Sequence, residues 1–310
     1  MLAHVDSNAS HICVKLETVE HEKPSSVAVL DTLKPEILAP TTIPRSKAHS
    51  PFEWHTYIIH IYSWMDDLVA AYPNLVTKVQ IGTSYEGRPI YFSTGGNKRP
   101  AIWVDSGIHS REWVSQATGV WTVNKIVTDY GTDASLTSLL NAMDIYLLTL
   151  TNPDGYVHSH TSSHSNNPGS MCSGVNPNRD WDGVCVCACL CANTNPCSDS
   201  DHGPSPHSEM EVRNVVNLMK NHSNFKSLIS IHAYSQLAAV QKLSSLHGIR
   251  YKVGSICKTI YQASSGIIDW LYKDIGCCGF ILPANQIIPT ASETWLGLKD
   301  IMVYVRDHPN

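Results

Sequence analysis

A histidine and a glutamate three residues apart follow a short apolar run. His109 and Glu112 come soon after residues 101–104, whose sequence is Ala-Ile-Trp-Val. Imidazole nitrogens and carboxylate oxygens both suit zinc, which accepts either kind of ligand. If the apolar run is a buried strand, the pair lies at its carboxyl end, where open α/β sheets bind their ligands. The spacing alone is a weak signal, because such pairs occur by chance in many chains.

Two further features strengthen the zinc interpretation. His232 ends a second apolar run, and residues 176–182 form a polar segment that contains Asn178 and Arg179. Three protein ligands with a fourth position open are typical of catalytic zinc. The sequence therefore predicts one Zn²⁺ held by His109, Glu112 and His232. The alternative is two core or capping histidines and a solvated glutamate.

These motifs resemble those of the zinc metallocarboxypeptidases, in the same order along the chain. The resemblance runs from about His55 to the C-terminus with several gaps, and the last part is most similar to the A-type pancreatic enzymes. It rests on residues 107–113 (GIHSREW), 151–155 (TNPDG), 178–179 (NR), 230–236 (SIHAYSQ), 260–264 (IYQAS), 293–297 (ETWLG) and 305–309 (VRDHP).

The resemblance implies a set of substrate-binding residues. Asn178 and Arg179 match the pair that grips a peptide's terminal carboxylate, and a guanidinium fork suits that task through two parallel charge-assisted bonds. The alternative is a structural turn with a surface ion pair. Tyr261 matches the tyrosine that closes over the substrate, although a lone tyrosine would be read as core. Tyr234 and Arg111 match further substrate contacts.

Ile268 lies seven residues after Tyr261, where the resemblance places the floor of the side-chain pocket. An acidic residue there would recruit Lys or Arg, as in the B-type enzymes. Isoleucine favours an apolar or aromatic C-terminal side chain, because burying an unpaired charge is costly. A core isoleucine is the alternative.

Several groups that the family mechanism uses are missing from this chain. The strand that carries the general-base glutamate is gone, because residues 270–278 run directly into residues 279–284, and Asp274 is the only nearby carboxylate. The loop with the oxyanion-stabilising arginine is replaced by residues 157–164, whose histidines we expect in a solvated loop. Asn176 stands where the family has an acidic residue that orients a ligand histidine, so zinc affinity should fall. A further segment is lost after Leu237.

Three functional hypotheses follow. The first is a zinc metallocarboxypeptidase of A-type preference that hydrolyses C-terminal apolar or aromatic residues, with impaired activity. The second is a catalytically silent zinc protein that binds peptide C-termini. The third is a splice product that folds poorly, because the losses remove core partners from a domain whose net stability is only about 5–15 kcal/mol.

Composition excludes other partners. The chain has 310 residues, 43% of them hydrophobic, enough for one large domain. Its net charge of −5 comes with no basic run, which argues against nucleic acid. No apolar run approaches the ~20 residues of a membrane span. We expect a monomer whose partners are peptide or protein C-termini.

The N-terminal region and the cysteines bear on the compartment. Residues 1–50 lack a sustained period and are predicted to be a poorly ordered leader or prosegment remnant, with the carboxypeptidase-like domain at 51–310. The first residues show no signal peptide, whereas the resemblance implies secretion. Cys172 and Cys197 match a family disulfide. Four cysteines between residues 185 and 191 favour a free-thiol or scrambled-disulfide loop over a soft-metal site.

Periodicity predicts the elements that position these residues. Helices are expected at 57–71 and from about Val114 to Gly131, and strands at 76–81, at 145–150 and up to His232. A capping box of Ser208 and Glu211 should open a helix, and Thr290 with Glu293 should cap the last one. Alternating strands and helices indicate an α/β fold. We expect a mixed, mostly parallel sheet with helices on both faces, carboxypeptidase-like but lacking some family elements.

Overall fold

The computed structural model describes residues 55–94, 99–161, 174–183, 193–222, 224–233, 264–275, 278–284 and 287–308. The predicted leader lies outside these ranges, so the boundary at residue 50 stays a prediction. The cysteine-rich residues 185–191 and the discontinuity after Leu237 also lie outside them.

The described strands form one six-stranded sheet in the order β1-β2-β4-β3-β5-β6. β3 pairs in parallel with β4 and β5, and β5 pairs in parallel with β6. The pairs β1–β2 and β2–β4 are antiparallel, so the predicted mixed, mostly parallel sheet is confirmed. The strands are β1 Thr77–Thr83, β2 Pro89–Thr94, β3 Ala101–Ser106, β4 Asp144–Leu148, β5 Phe225–Ala233 and β6 Cys278–Ala284.

The two central strands carry the apolar runs that precede the predicted metal ligands. Every residue of β3 is buried, as is typical of a parallel strand covered on both faces. β5 is buried at seven of its nine residues. Because β3 and β5 are parallel neighbours, their carboxyl ends meet at one edge of the sheet. That edge is where the chain places His109 and His232.

Helices cover both faces of the sheet, as predicted. Apolar residues of α1, α2, α3 and α7, among them Met65, Val123 and Met302, form the core on one face. α5 and α6 cover the other face with Val212 and Trp270. None of the helices in the described ranges is long and apolar enough to span a membrane. The helices are α1 His55–Ala71, α2 Trp113–Asp129, α3 Ala134–Ala142, α4 Pro153–Thr161, α5 Met210–Asn221, α6 Ile267–Trp270 and α7 Ile287–Asp307, with a wide helical turn Leu271–Ile275 after α6.

The predicted capping box of Ser208 and Glu211 is wrong. The N-cap residue of α5 is Glu209, and its side chain makes no capping hydrogen bond. Instead, the buried Asp180 carboxylate accepts from the backbone N–H groups of Ser208 at 3.0 Å and Glu209 at 2.9 Å. A carboxylate at this point satisfies otherwise unpaired donors and complements the helix dipole. Asp180 thereby ties the Asn178–Arg179 segment to α5.

Two further boundaries differ from the prediction. α7 begins at Ile287 rather than at a Thr290 cap, because Pro289 in the first turn costs no helical hydrogen bond. Residues 157–161, expected in a loop, continue α4, so His158 and His160 are helical.

A strand occupies the sheet edge where one was expected to be lost. β6 (Cys278–Ala284) spans the junction between residues 270–278 and residues 279–284, and it pairs with β5 over seven residues. Ladder hydrogen bonds use backbone groups, so an apolar segment of different sequence can fill the same edge. The edge position is therefore occupied, and the sequence of β6 contains no acidic residue.

The buried Glu211 at the start of α5 should make stability depend on pH. Burial raises its pKa from 4.5 to about 7, with repulsion from Asp154 and Glu209 adding to the effect. The unfolded chain therefore loses this proton first, and stability should fall as pH rises from about 4.5 through 7. A shift of this size corresponds to up to about 3 kcal/mol. We expect Glu211→Gln to stabilise the protein by up to that amount at pH 8 and by little at pH 4.

Urea unfolding at both pH values measures this effect. Glu209→Gln is the matched control, since Glu209 is adjacent to the same helix start but less buried. Equal stabilisation by Glu211→Gln at the two pH values would contradict the assignment.

Candidate metal centre and substrate-binding residues

The turn between β3 and α2 holds the first two predicted ligands. Glu112 is the N-cap residue of α2, and its N–H donates to the carbonyl of His109 at 3.0 Å. The turn needs Gly107, which has φ +75° and where a Cβ would lie 2.6 Å from the Gln116 side chain. Strand, glycine turn and helix start together fix the His-x-x-Glu pair at the sheet edge.

His232, the second-last residue of β5, completes the group. Its Nδ1 lies 3.2 Å from Nδ1 of His109 and 3.4 Å from Oε2 of Glu112. Oε1 of Glu112 lies 3.0 Å from Nδ1 of His109. These three residues form the one group of at least three metal-ligating side chains found in the described ranges. The structure thus brings together residues that are 120 or more positions apart in sequence.

The spacing of the donor atoms fits zinc. Nitrogen and oxygen donors about 2.0–2.2 Å from a tetrahedral ion lie about 3.4 Å from one another. The observed separations of 3.0–3.4 Å are close to that value. Two imidazoles and one carboxylate are also the donor set of several catalytic zinc sites. The residues present therefore fit a zinc ion.

Glu112 is held as a carboxylate. Burial would raise its pKa, but the charge and hydrogen bond of His109, together with the nearby His232 ring, outweigh that effect and lower the pKa well below its usual range. Oε2 also accepts the backbone N–H of Ala233 at 2.7 Å. An ionised carboxylate between two imidazoles attracts a cation.

The second ring nitrogen of His109 faces Asn176. Its Nε2 lies 3.3 Å from the Asn176 Oδ1, the position where the resemblance implies an orienting acid. The amide is fixed in this orientation, because Nδ2 donates to the carbonyl of Asp199 and Oδ1 accepts from the N–H of Asn178. The geometry needed to orient His109 is present without a formal negative charge.

Sequence reasoning missed the partner of His232. Its Nε2 lies 3.1 Å from Oγ of Ser230, which donates to Oδ1 of Asp105 at 2.6 Å. Oδ2 of Asp105 accepts from the indole N–H of Trp103 at 2.9 Å. Burial raises the pKa of Asp105 to about 6, so the carboxyl is ionised at pH 8. The sequence signal that could have predicted this contact is the spacing of Trp103 and Asp105 and of Ser230 and His232. Residues two apart in a strand share a face.

Asn178 and Arg179 lie close to the metal group, in the single helical turn Pro177–Arg179. Both are buried. Oδ1 of Asn178 accepts from the N–H of Ile267 at 3.1 Å, which links this turn to the start of α6. Asn176, the N-cap residue of this turn, contacts His109, so the segment spans from the metal group to the predicted substrate pocket.

The other predicted substrate residues are placed less completely. Arg111 is exposed beside the metal group, and its role stays a prediction. Ile268 is half-buried and follows the Ile267 that contacts Asn178; it packs against Gly279, where a Cβ would lie 2.9 Å from it. Tyr234 and Tyr261 lie outside the described residues.

Asp274 is poorly placed to act as a base at the metal group. It precedes the start of β6 and forms an ion pair with Lys220 at 3.5 Å. His232 is in register with Pro283, five residues along β6 from Cys278, which is about 17 Å of strand. The carboxylate of Asp274 therefore belongs to the opposite end of the strand.

Comparisons with known proteins point to one family. A family model described as zinc carboxypeptidase matches residues 61–242 and 237–297. Mouse carboxypeptidase A2 is 50% identical over 300 aligned positions, covering 83% of this chain and 71% of the relative. Pig carboxypeptidase A1 is 47% identical over 311 positions, covering 86% and 74%. Since 83% of 310 residues is about 257, some 40 of the 300 positions aligned with carboxypeptidase A2 have no residue in this chain.

Solved structures agree with these relatives. Bovine thrombin-activatable fibrinolysis inhibitor, in complex with tick carboxypeptidase inhibitor, has a TM-score of 0.70 and 29% identity, covering 84% of this chain and 98% of that one. Carboxypeptidase A of Helicoverpa armigera has a TM-score of 0.68 at 22% identity, covering 92% and 82%, and supports the fold alone.

Proposed function

The chain belongs to the zinc carboxypeptidase family, and from that premise we propose that it binds one zinc ion and recognises the C-terminal ends of peptides with A-type preference. The proposed ligands are His109, Glu112 and His232. The convergence of their donor atoms within 3.0–3.4 Å is the observation that carries the proposal. When bound, zinc would act as a Lewis acid and lower the pKa of a coordinated water.

The chain's own residues supply orientation and charge. Glu112 keeps a negative charge between the two imidazoles, and Asn176 and Ser230 hold the outer ring nitrogens of His109 and His232. These contacts leave both Nδ1 atoms directed at a common point. Because the two rings are already oriented, less free energy is needed to assemble the site when metal binds.

Recognition of a terminal carboxylate rests on Asn178 and Arg179. The side-chain oxygen of Asn178 accepts from the N–H of Ile267. The side-chain NH₂ group of Asn178 is then the donor that can face a ligand. Arg179 adds a guanidinium that matches a carboxylate. Tyr261, Tyr234 and Arg111 are proposed to contact the same substrate by their match to the family motifs.

Ile268 supports a preference for peptides whose C-terminal side chain is apolar or aromatic. Because it adjoins the Ile267 that contacts Asn178, Ile268 lies beside the proposed carboxylate-binding turn, which supports its assignment as the pocket floor. The half-buried Asp269, next to it, has a pKa raised by burial, in spite of attraction from Arg179. A Lys or Arg side chain at the peptide's C-terminus would lie against isoleucine, where B-type enzymes have an acidic residue to pair with its charge.

We propose that hydrolysis is impaired. β6 carries no acidic residue, and Asp274 belongs to the far end of that strand. A zinc protein that binds peptide C-termini without cleaving them is the second candidate, and the same observation favours it. The third hypothesis, a splice product that folds poorly, stays a prediction.

A secreted monomer is the proposed form. Cys197 is disulfide-bonded, and disulfides persist in oxidising compartments. Its pairing with Cys172 is proposed by the match to the family, since Cys172 lies outside the described residues.

Peptide binding tests the proposed recognition. With zinc content verified, a short peptide ending in Phe with a free carboxylate should bind, and calorimetry should show at least tenfold weaker binding of its amidated form, because the Arg179 fork loses its charged partner. A peptide ending in Arg should also bind more weakly than the Phe peptide, because burying its unpaired charge is costly.

Ile268→Asp is the matched variant for the second contrast, and it should reverse the order of the Phe and Arg peptides. Equal binding of the free and amidated peptides would contradict carboxylate recognition. An unchanged order in Ile268→Asp would contradict Ile268 as the pocket floor.

A further inference from the structure

Four side chains on one face of two central strands form a continuous hydrogen-bonded chain that ends at a proposed metal ligand. Trp103 and Asp105 alternate along β3, and Ser230 and His232 alternate along β5. Asp105 and Ser230 are register partners in the parallel pair. All four are at most 8% exposed, so water does not replace these contacts.

When Asp105 is ionised, the donors and acceptors of these four side chains allow only one arrangement of the hydrogen atoms. A carboxylate only accepts, and an indole N–H only donates. Trp103 therefore occupies Oδ2, and the one hydroxyl hydrogen of Ser230 is directed to Oδ1 at 2.6 Å. Ser230 has no hydrogen left for His232, so its oxygen accepts from Nε2–H of that ring at 3.1 Å.

A neutral imidazole with its proton on Nε2 has its lone pair on Nδ1. Nδ1 is the atom of His232 that faces His109 and Glu112. We infer that Asp105, acting through Ser230, is a positioning residue that sets the tautomer of His232 and thereby the metal affinity of the centre. This inference rests on the proposed function, because it concerns the same metal centre.

Trp103 makes the inference sharply testable. In Asp105→Asn, the side chain has one acceptor and one donor group in place of two acceptors. The indole N–H of Trp103 claims the amide oxygen, so the amide NH₂ faces Ser230. Ser230 then accepts from the amide and donates to Nε2 of His232, which moves the ring proton to Nδ1. An Asp→Asn change beside a catalytic histidine is known to produce the wrong tautomer in this way.

Zinc affinity at pH 8 is the first measurement, by competition with a chromophoric chelator. We expect Asp105→Asn to bind zinc 10- to 100-fold more weakly than the unmodified protein, the usual effect of losing an outer partner of a metal ligand. Ser230→Ala removes the link without reversing it and should cost less. Far-UV circular dichroism and thermal melting confirm that each variant is folded.

The double variant Trp103→Phe/Asp105→Asn separates tautomer control from damage to packing. Without the indole N–H, the amide is free to turn its oxygen toward Ser230, so zinc affinity should recover in part relative to Asp105→Asn. Trp103→Phe alone should stay within a fewfold of the unmodified protein. Wild-type affinity in Asp105→Asn, or a double variant weaker than that single variant, would overturn the inference.

The ring tautomer gives a readout that does not need metal. ¹⁵N NMR of the metal-free protein at pH 8 should show His232 with its proton on Nε2, and on Nδ1 in Asp105→Asn. A proton on Nδ1 in the unmodified protein would refute the relay whatever the zinc result. A protein with the expected tautomer that binds no zinc would instead refute the proposed function.

Discussion

Replacing His232 with alanine should abolish stoichiometric zinc binding. The unmodified protein is expected to hold one zinc ion, and His232→Ala and His109→Ala each remove one of three converging donors. Loss of an outer partner alone costs 10- to 100-fold in affinity, so loss of a ligand should cost more than about 100-fold. Metal content after dialysis against a weak chelator measures the effect directly.

Stability provides a second readout of the same change. A ligand present at 100 times its dissociation constant stabilises the folded protein by about 2.7 kcal/mol. Zinc should therefore raise the melting temperature of the unmodified protein and have little effect on His232→Ala.

His222→Ala is the matched control. His222 lies before the start of β5, where its Nε2 contacts the hydroxyl of Tyr146 at 2.9 Å, at the other end of the strand from His232. The control should keep its zinc. Unchanged metal content in both His109→Ala and His232→Ala would refute the ligand assignment.

The sequence was most informative where local pattern and tertiary structure agree. Apolar runs at β3 and β5 predicted buried strands, and both strands are buried in the structure. Placing His109 and His232 at their carboxyl ends needed only the rule that ligand sites lie there in parallel sheets. That is why the convergence of the metal ligands could be expected before the fold was known.

Features that depend on distant parts of the chain could not be predicted in this way. Ser208 and Glu211 have the spacing of a capping box, but Asp180, some 28 residues earlier, supplies the capping carboxylate. The relay from Asp105 to Ser230 crosses two strands that are 125 residues apart in sequence. Both arrangements are set by register and packing rather than by local propensity.

β6 shows a different limit of sequence comparison. Matching motifs predicted the loss of the strand that carries the family's general base. They did not predict that residues 278–284 would form the edge strand beside β5, since an apolar segment can pair its backbone with β5 regardless of side-chain chemistry. The edge of the sheet is thus occupied by a strand that contains no acidic residue.

Turnover of a C-terminal aromatic peptide should be far below that of an intact family member. A positioned proton shuttle is worth about 100- to 10,000-fold and an oxyanion donor about 100- to 1000-fold. Losing both should lower the turnover number by about 10⁴-fold or more, provided that zinc content is verified. The leaving amine has no carboxylic acid on β6 to protonate it, so a metal-activated water alone cannot restore the rate.

Asp274→Asn and Glu112→Gln decide what any residual activity means. We expect Asp274→Asn to leave the residual rate unchanged, because its carboxylate pairs with Lys220 at the far end of β6. Glu112→Gln should remove the residual rate together with the metal. A turnover number of about 10 per second, the median for enzymes, would show that another group has replaced the base. A loss of that activity in Asp274→Asn would identify the group as Asp274. Peptide binding that persists while turnover stays at background would identify the chain as a C-terminus-binding zinc protein, with the proposed carboxylate-binding turn and metal ligands in place and no proton donor on β6.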